Sequence, residues 1–128
     1  MRQDELLIIT NNPLVKNIDR YEICWIDGNP EEVYYKTLNF IGLGHKLLSH
    51  PLAGSIKPNQ NPYRSIVVTK NSVGAADEDL KIINQCLEKV ENMALEATRP
   101  DLKVNYAEDF QLVDKELLLN ALASLLER

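Results

Sequence analysis

A chain of 128 residues, 45% hydrophobic and 26% charged, has the make-up of one ordinary globular domain and needs neither metal nor disulfide to bury a core. It has no apolar run long enough to span a membrane, and its net charge of -5 argues against non-specific nucleic-acid binding. The total conceals an asymmetry. From Val33 to Ala76 there is no Asp or Glu, but there are Lys36, Lys46, Lys57, Arg64 and Lys70, so this segment carries +5 and the remainder -10.

The opening Met1 to Glu5 leads straight into an apolar strand pattern too short for a secretory leader, so a cytoplasmic location is expected. Glu5 to Thr10 is a continuous apolar run, the pattern of a strand buried on both faces. Asn12 then reads as an N-cap and Pro13 as the first position of a short helix to Asp19. Tyr21 to Ile26 is rich in β-formers. Asp27-Gly28-Asn29-Pro30 is a turn that opens a helix from Pro30 to Leu43, with Gly42 and Gly44 at its end.

His45 to Ser49 predicts a brief strand, followed by a Pro-, Gly- and Asn-rich loop to Tyr63. Arg64 to Lys70 predicts the clearest strand. Asn71 to Ala76 is a loop, and Asp77 to Ala97 an amphipathic helix ended by Arg99-Pro100. Leu102 to Tyr106 predicts a short edge strand. Asp114 then caps a last helix to Arg128. The order β-α-β-α-β-loop-β-α-β-α predicts a single three-layer α/β domain over 1–128: a mostly parallel sheet of four to five strands with helices on both faces.

In open α/β sheets, ligands bind outside the carboxyl ends of the strands. Two loops there have unusual polar content, and they converge if the strands preceding them are neighbours. The first offers Thr10, Asn11 and Asn12, whose plainest role is helix capping. The second offers Ser49, His50, Gly54, Ser55, Lys57 and Asn59, and continues to Tyr63 and Arg64. His45 joins this set, although a hydrogen-bonding role at a strand edge suits it better. A structureless loop of this length is uncommon in a compact domain unless it binds something. Its charge, beside a helix N-terminus, predicts a small anion such as a phosphate, acyl phosphate, carboxylate or nucleotide.

Other chemistry has weaker support. Cys24 and Cys86 are far apart and read as buried thiols in a reducing compartment. The histidines have no Cys, Asp or Glu nearby to complete a metal shell, so no metal is expected, and no cofactor can be named. Ser49, Ser55 or Ser65 beside His50 would need an orienting acid, for which Asp27 is the candidate, and no nucleophile elbow is present. Exposure of Leu117, Leu119 and Leu126 would mark a homodimer face.

Four blocks carry a family resemblance. They are Ile8-Ile9-Thr10-Asn11-Asn12-Pro13-Leu14-Val15, the run from Gly44 to Asn59, Asn61-Pro62-Tyr63-Arg64-Ser65, and Glu108-Asp109-Phe110-Gln111-Leu112-Val113-Asp114. Together they resemble the GrdX family, small proteins encoded beside the glycine, sarcosine and betaine reductase components of amino-acid-fermenting anaerobic bacteria. The resemblance implies an accessory role in that system and carries over no catalytic residue. Three roles therefore stand as expectations: anion binding, docking on a reductase subunit, or a small enzyme using His50.

Overall fold

The computed structural model describes residues 1–51, 61–74, 77–96 and 100–126, with backbone only for 93–96 and 100–106. Strand β1 (Leu6–Thr10) is buried along its whole length. A strand of this kind exposes nothing, so its residues need not alternate in polarity. Leu7 and Ile9 enter one core and Leu6 and Ile8 the other. Each fully buried aliphatic side chain contributes roughly 1.5–3 kcal/mol.

Helix α1 (Pro13–Lys16) follows, capped by Asn12, whose side chain accepts from Leu14 N–H. Strand β2 (Glu22–Trp25) pairs parallel with β1. Helix α2 (Pro30–Gly42) is capped by the Asn29 side chain on Glu32 N–H, and Glu31 and Glu32 complement its N-terminal dipole. The chain reverses at Gly44, whose φ of 101° suits glycine; a Cβ there would meet Ser72 Oγ at 2.1 Å.

Strand β3 (Ser65–Thr69) completes a sheet of order β2-β1-β3, with β3 antiparallel to β1. Helices α3 (Asp77–Glu96) and α4 (Pro100–Leu126) end the described chain. One core lies between the sheet and α2 and α3, and includes Val33, Tyr34, Ile41, Ile66, Ile83 and Leu87. The other lies between the sheet and α1 and α4, around Val15, Val67, Leu118 and Leu122. Among the described residues, no helix is long and apolar enough to cross a membrane.

The result is a single α/β domain with a three-stranded mixed sheet, not one of four to five mostly parallel strands. Three physical causes explain the difference. The expected strand at His45 to Ser49 is reduced to one bridge, Leu47 with Val68, and on either side of it side chains replace the ladder: Lys46 N–H donates to Thr69 Oγ1 and Val67 N–H to Ser49 Oγ. The sequence of its connection to β3 has no helical pattern, and strands joined without a crossover pair antiparallel. The expected strand at Leu102 to Tyr106 is helical. No Gly or Pro occurs from Asp101 to Leu126, so a helix begun at Pro100 has nothing to interrupt it. Asp114 therefore sits inside α4 and caps nothing.

Candidate functional site

The end of β1 is held by side chains, and its two asparagines hold it differently. Asn11 is 6% exposed. Its Nδ2 donates to the Gly28 and Pro62 carbonyls at 3.0 and 2.8 Å, and its Oδ1 accepts from Arg64 N–H at 2.8 Å. It thereby ties together the turn before α2 and the segment entering β3. Asn12 is fully buried. Besides capping α1, its Nδ2 donates to the Gln111 carbonyl at 2.8 Å and to Asp114 Oδ2 at 3.0 Å. It fixes α4 against the sheet.

Asp114 Oδ2 also accepts from Ser65 Oγ at 2.6 Å, and Ser65 Oγ lies 2.7 Å from Thr10 Oγ1. Since a carboxylate can only accept, the Ser65 proton points to Asp114 and the Thr10 proton to Ser65. Thr10 Oγ1 in turn accepts from Asn12 N–H at 3.0 Å. The chain of donors runs in one direction and ends on Asp114. Burial pushes the Asp114 carboxyl above its ordinary value; the Ser65 and Asn12 hydrogen bonds and the Arg64 charge oppose the shift.

Arg64 is also only 6% exposed. Its Nε donates to Tyr34 Oη at 3.1 Å and its Nη1 to the Tyr63 carbonyl at 2.9 Å. Tyr34 Oη donates to the Pro51 carbonyl at 2.9 Å. Burial pushes the Tyr34 phenol up to about 12 against the influence of Arg64, so it stays neutral and keeps its proton for Pro51. Tyr63 is tied to α4, its hydroxyl accepting from Gln111 Nε2 at 3.0 Å.

A cleft of about 40 Å³ opens here. Ser49, His50, Arg64, Ser65 and Asp114 form its polar wall, and Pro51 with Leu117, Leu118 and Ala121 of α4 its apolar one. Ser49 Oγ also accepts from Val67 N–H at 2.9 Å. The space suits about three water molecules.

The two sequence loops do reach the same edge of the sheet, though by a different route from the expected one. β3 lies between β1 and the Leu47 bridge, and the cleft lies beside β3. Thr10, Asn11, Asn12, Ser49, His50, Tyr63 and Arg64 gather at this edge. His45 does not; its Nδ1 is 2.8 Å from the Thr69 carbonyl, at the far end of β3, with its ring edge-on to Phe40. Gly54, Ser55, Lys57 and Asn59 lie outside the described residues. Lysines of the cationic segment disperse as well: Lys70 pairs with Glu22 at 3.4 Å and Lys36 lies over Phe40. Among the described residues, Arg64 supplies the fixed positive charge of the cleft.

Asp114 belongs to the site and was read from sequence as a cap, and Tyr34 of α2 braces Arg64 beside it. Asp27 is exposed in its turn, and the acid in the cleft is Asp114. The signal for Asp114 lay in the block Glu108 to Asp114, where a lone acid follows Gln111-Leu112-Val113. Among the described residues, no group of His, Cys, Asp and Glu gathers as a metal shell. Both cysteines are free, and burial raises both thiols above their ordinary value.

A model of the GrdX-like protein family matches residues 7–123, which spans every element of the cleft. No curated protein and no solved structure matches the chain.

Proposed function

The chain belongs to the GrdX-like protein family, and from that premise we propose that it is a cytoplasmic accessory protein of the glycine, betaine and sarcosine reductase system that binds a small anionic ligand at the cleft beside β3. The observation that carries this reading is the buried guanidinium of Arg64 in a cleft wall that also holds Ser49, His50 and Ser65. A guanidinium keeps its charge at any physiological pH, and it is the side chain best shaped to bind carboxylate or phosphate. The size of the cleft favours ligands as small as phosphate or acetate over nucleotides. The asparagines serve by positioning, since their amides are engaged with the protein itself.

The test is calorimetry with phosphate, acetate and acetyl phosphate on the full chain and on His50→Ala, an exposed position whose loss leaves the core intact. Binding that weakens in the variant supports the reading. Absence of heat with every anion, or heat unchanged in His50→Ala, refutes it.

A second reading, docking on a reductase subunit, draws on the exposed Leu112, Val113 and Leu119 of α4, at 51%, 48% and 44%. A pull-down with the reductase components distinguishes the two. Capture lost in Leu112→Ser with Leu119→Ser but kept in His50→Ala favours docking.

A further inference from the structure

We propose that the exposed stripe of α4 is covered by a second copy of this chain, the two helices packing antiparallel about a twofold axis between Lys115 and Glu116. Leu112 and Leu119 of this stripe are 51% and 44% exposed. They lie about two turns apart on one side of the helix, with Lys115 and Glu116 between them. Glu116 is exposed, Lys115 is half-buried, and the exposed Ala123 extends the stripe by a further turn. Of the three leucines expected to mark a homodimer face, Leu119 is exposed, whereas Leu117 lines the cleft and Leu126 packs against the core of α1 and α4. Leu117 and Ala121, at the cleft, lie on the opposite flank of the helix from Leu119. A second copy on the stripe therefore leaves the cleft open.

The order of the residues points to the partner. Antiparallel helices related by a twofold axis bring together residues equally far from that axis on its two sides. About the midpoint between Lys115 and Glu116, Leu112 meets Leu119 of the second copy and Lys115 meets its Glu116. Each pair occurs twice. Apolar residue meets apolar residue and every charge meets its opposite. A parallel pairing would set Lys115 beside Lys115 and Glu116 beside Glu116, where like charges repel. A partner of another kind has no need of a pattern that complements itself when turned end for end. The four leucines then form the dry centre of the contact, with the ion pairs at its rim.

Sedimentation equilibrium of the full chain over a concentration series tests this. The mass is expected to rise with concentration from 14.6 kDa toward twice that value. Leu119→Ser should weaken association by about a hundredfold or more, since the change enters the contact twice. Lys115→Glu and Glu116→Lys, surface changes that leave the fold intact, should each weaken it about tenfold by opposing like charges. Mixed in equal amounts, these two variants should pair with each other as tightly as the wild type does, because each Glu then faces a Lys. A chain that stays monomeric at every concentration overturns the proposal, and favours a reductase subunit on this face if Leu119→Ser also abolishes capture by the reductase components. A dimer indifferent to Leu119→Ser, or variants that do not recover on mixing, overturns it as well.

Discussion

The two ends of β3 are built on different principles. At the Thr69 end, the chain turns through Gly44, Ser72 Oγ donates to the Leu43 carbonyl, and His45 meets the Thr69 carbonyl. These contacts span 24 to 29 positions around a backbone reversal, and none of them buries a charged group. At the Ser65 end, Asn11, Asn12, Ser65 and Asp114 reach across 17 to 102 positions of the chain, and two ionisable side chains are nearly inaccessible. Burying charge is costly, and apolar residues would close a sheet end more cheaply. The Thr69 end closes the fold. The Ser65 end keeps polar groups that the fold alone does not require, which is the mark expected of a site.

Breaking the Ser65 end should therefore cost most. Asn11→Ala removes three hydrogen bonds to backbone groups and is expected to destabilise by about 3 kcal/mol, at roughly 1 kcal/mol for each. Urea denaturation reads this as a lower midpoint with an unchanged slope. At the other end, Gly44→Ala forces a side chain into a left-handed backbone and should cost about 1–2 kcal/mol by the same assay. His45→Ala gives up a hydrogen bond and an aromatic edge contact, worth about 1 kcal/mol together.

The acid of the cleft should show itself as a slope. The folded carboxyl of Asp114 is raised, so the unfolded chain releases this proton at lower pH than the folded one. The associated stability is fully present below the ordinary carboxyl range. It is lost as pH rises from that range through the folded value, and is flat above. Wild-type stability measured against Asp114→Asn should fall across that window; a difference that is constant with pH would contradict the burial described. Smallest of all, exposed His50→Ala should move stability by less than about 0.5 kcal/mol. A larger loss would erase the contrast between the two histidines.

Features set by neighbouring residues were legible in the sequence. Asn12-Pro13 and Asn29-Pro30 start helices as read, because a cap and its target N–H lie within three positions. The unbroken Leu6 to Ile9 run announced a strand buried on both faces for the same local reason. The direction of β3 was not legible from its own residues, since Ser65–Thr69 reads alike in either sense. The loop-only connection before it was the available clue. Of the candidate site, polar content at strand ends picked out the Thr10 and Ser49 loops, but the strands expected to bring them together as neighbours are separated by β3. The part of Asp114 could not follow, because its partners Asn12 and Ser65 lie 102 and 49 positions away. A lone acid read locally is a cap.

That span between Asn12 and Asp114 has a consequence for the order in which the molecule is made. The two closing groups of the cleft are separated by most of the chain, and loop-closure entropy must be met before their contact returns anything. On the ribosome, β1, β2 and α2 can assemble while α4 is still being synthesised. During that interval Asn12 and Ser65 have no carboxylate to meet, and the cleft lacks its α4 wall. A chain not yet extended through α4 has no complete cleft, so any ligand of the cleft would report that α4 has been made and docked.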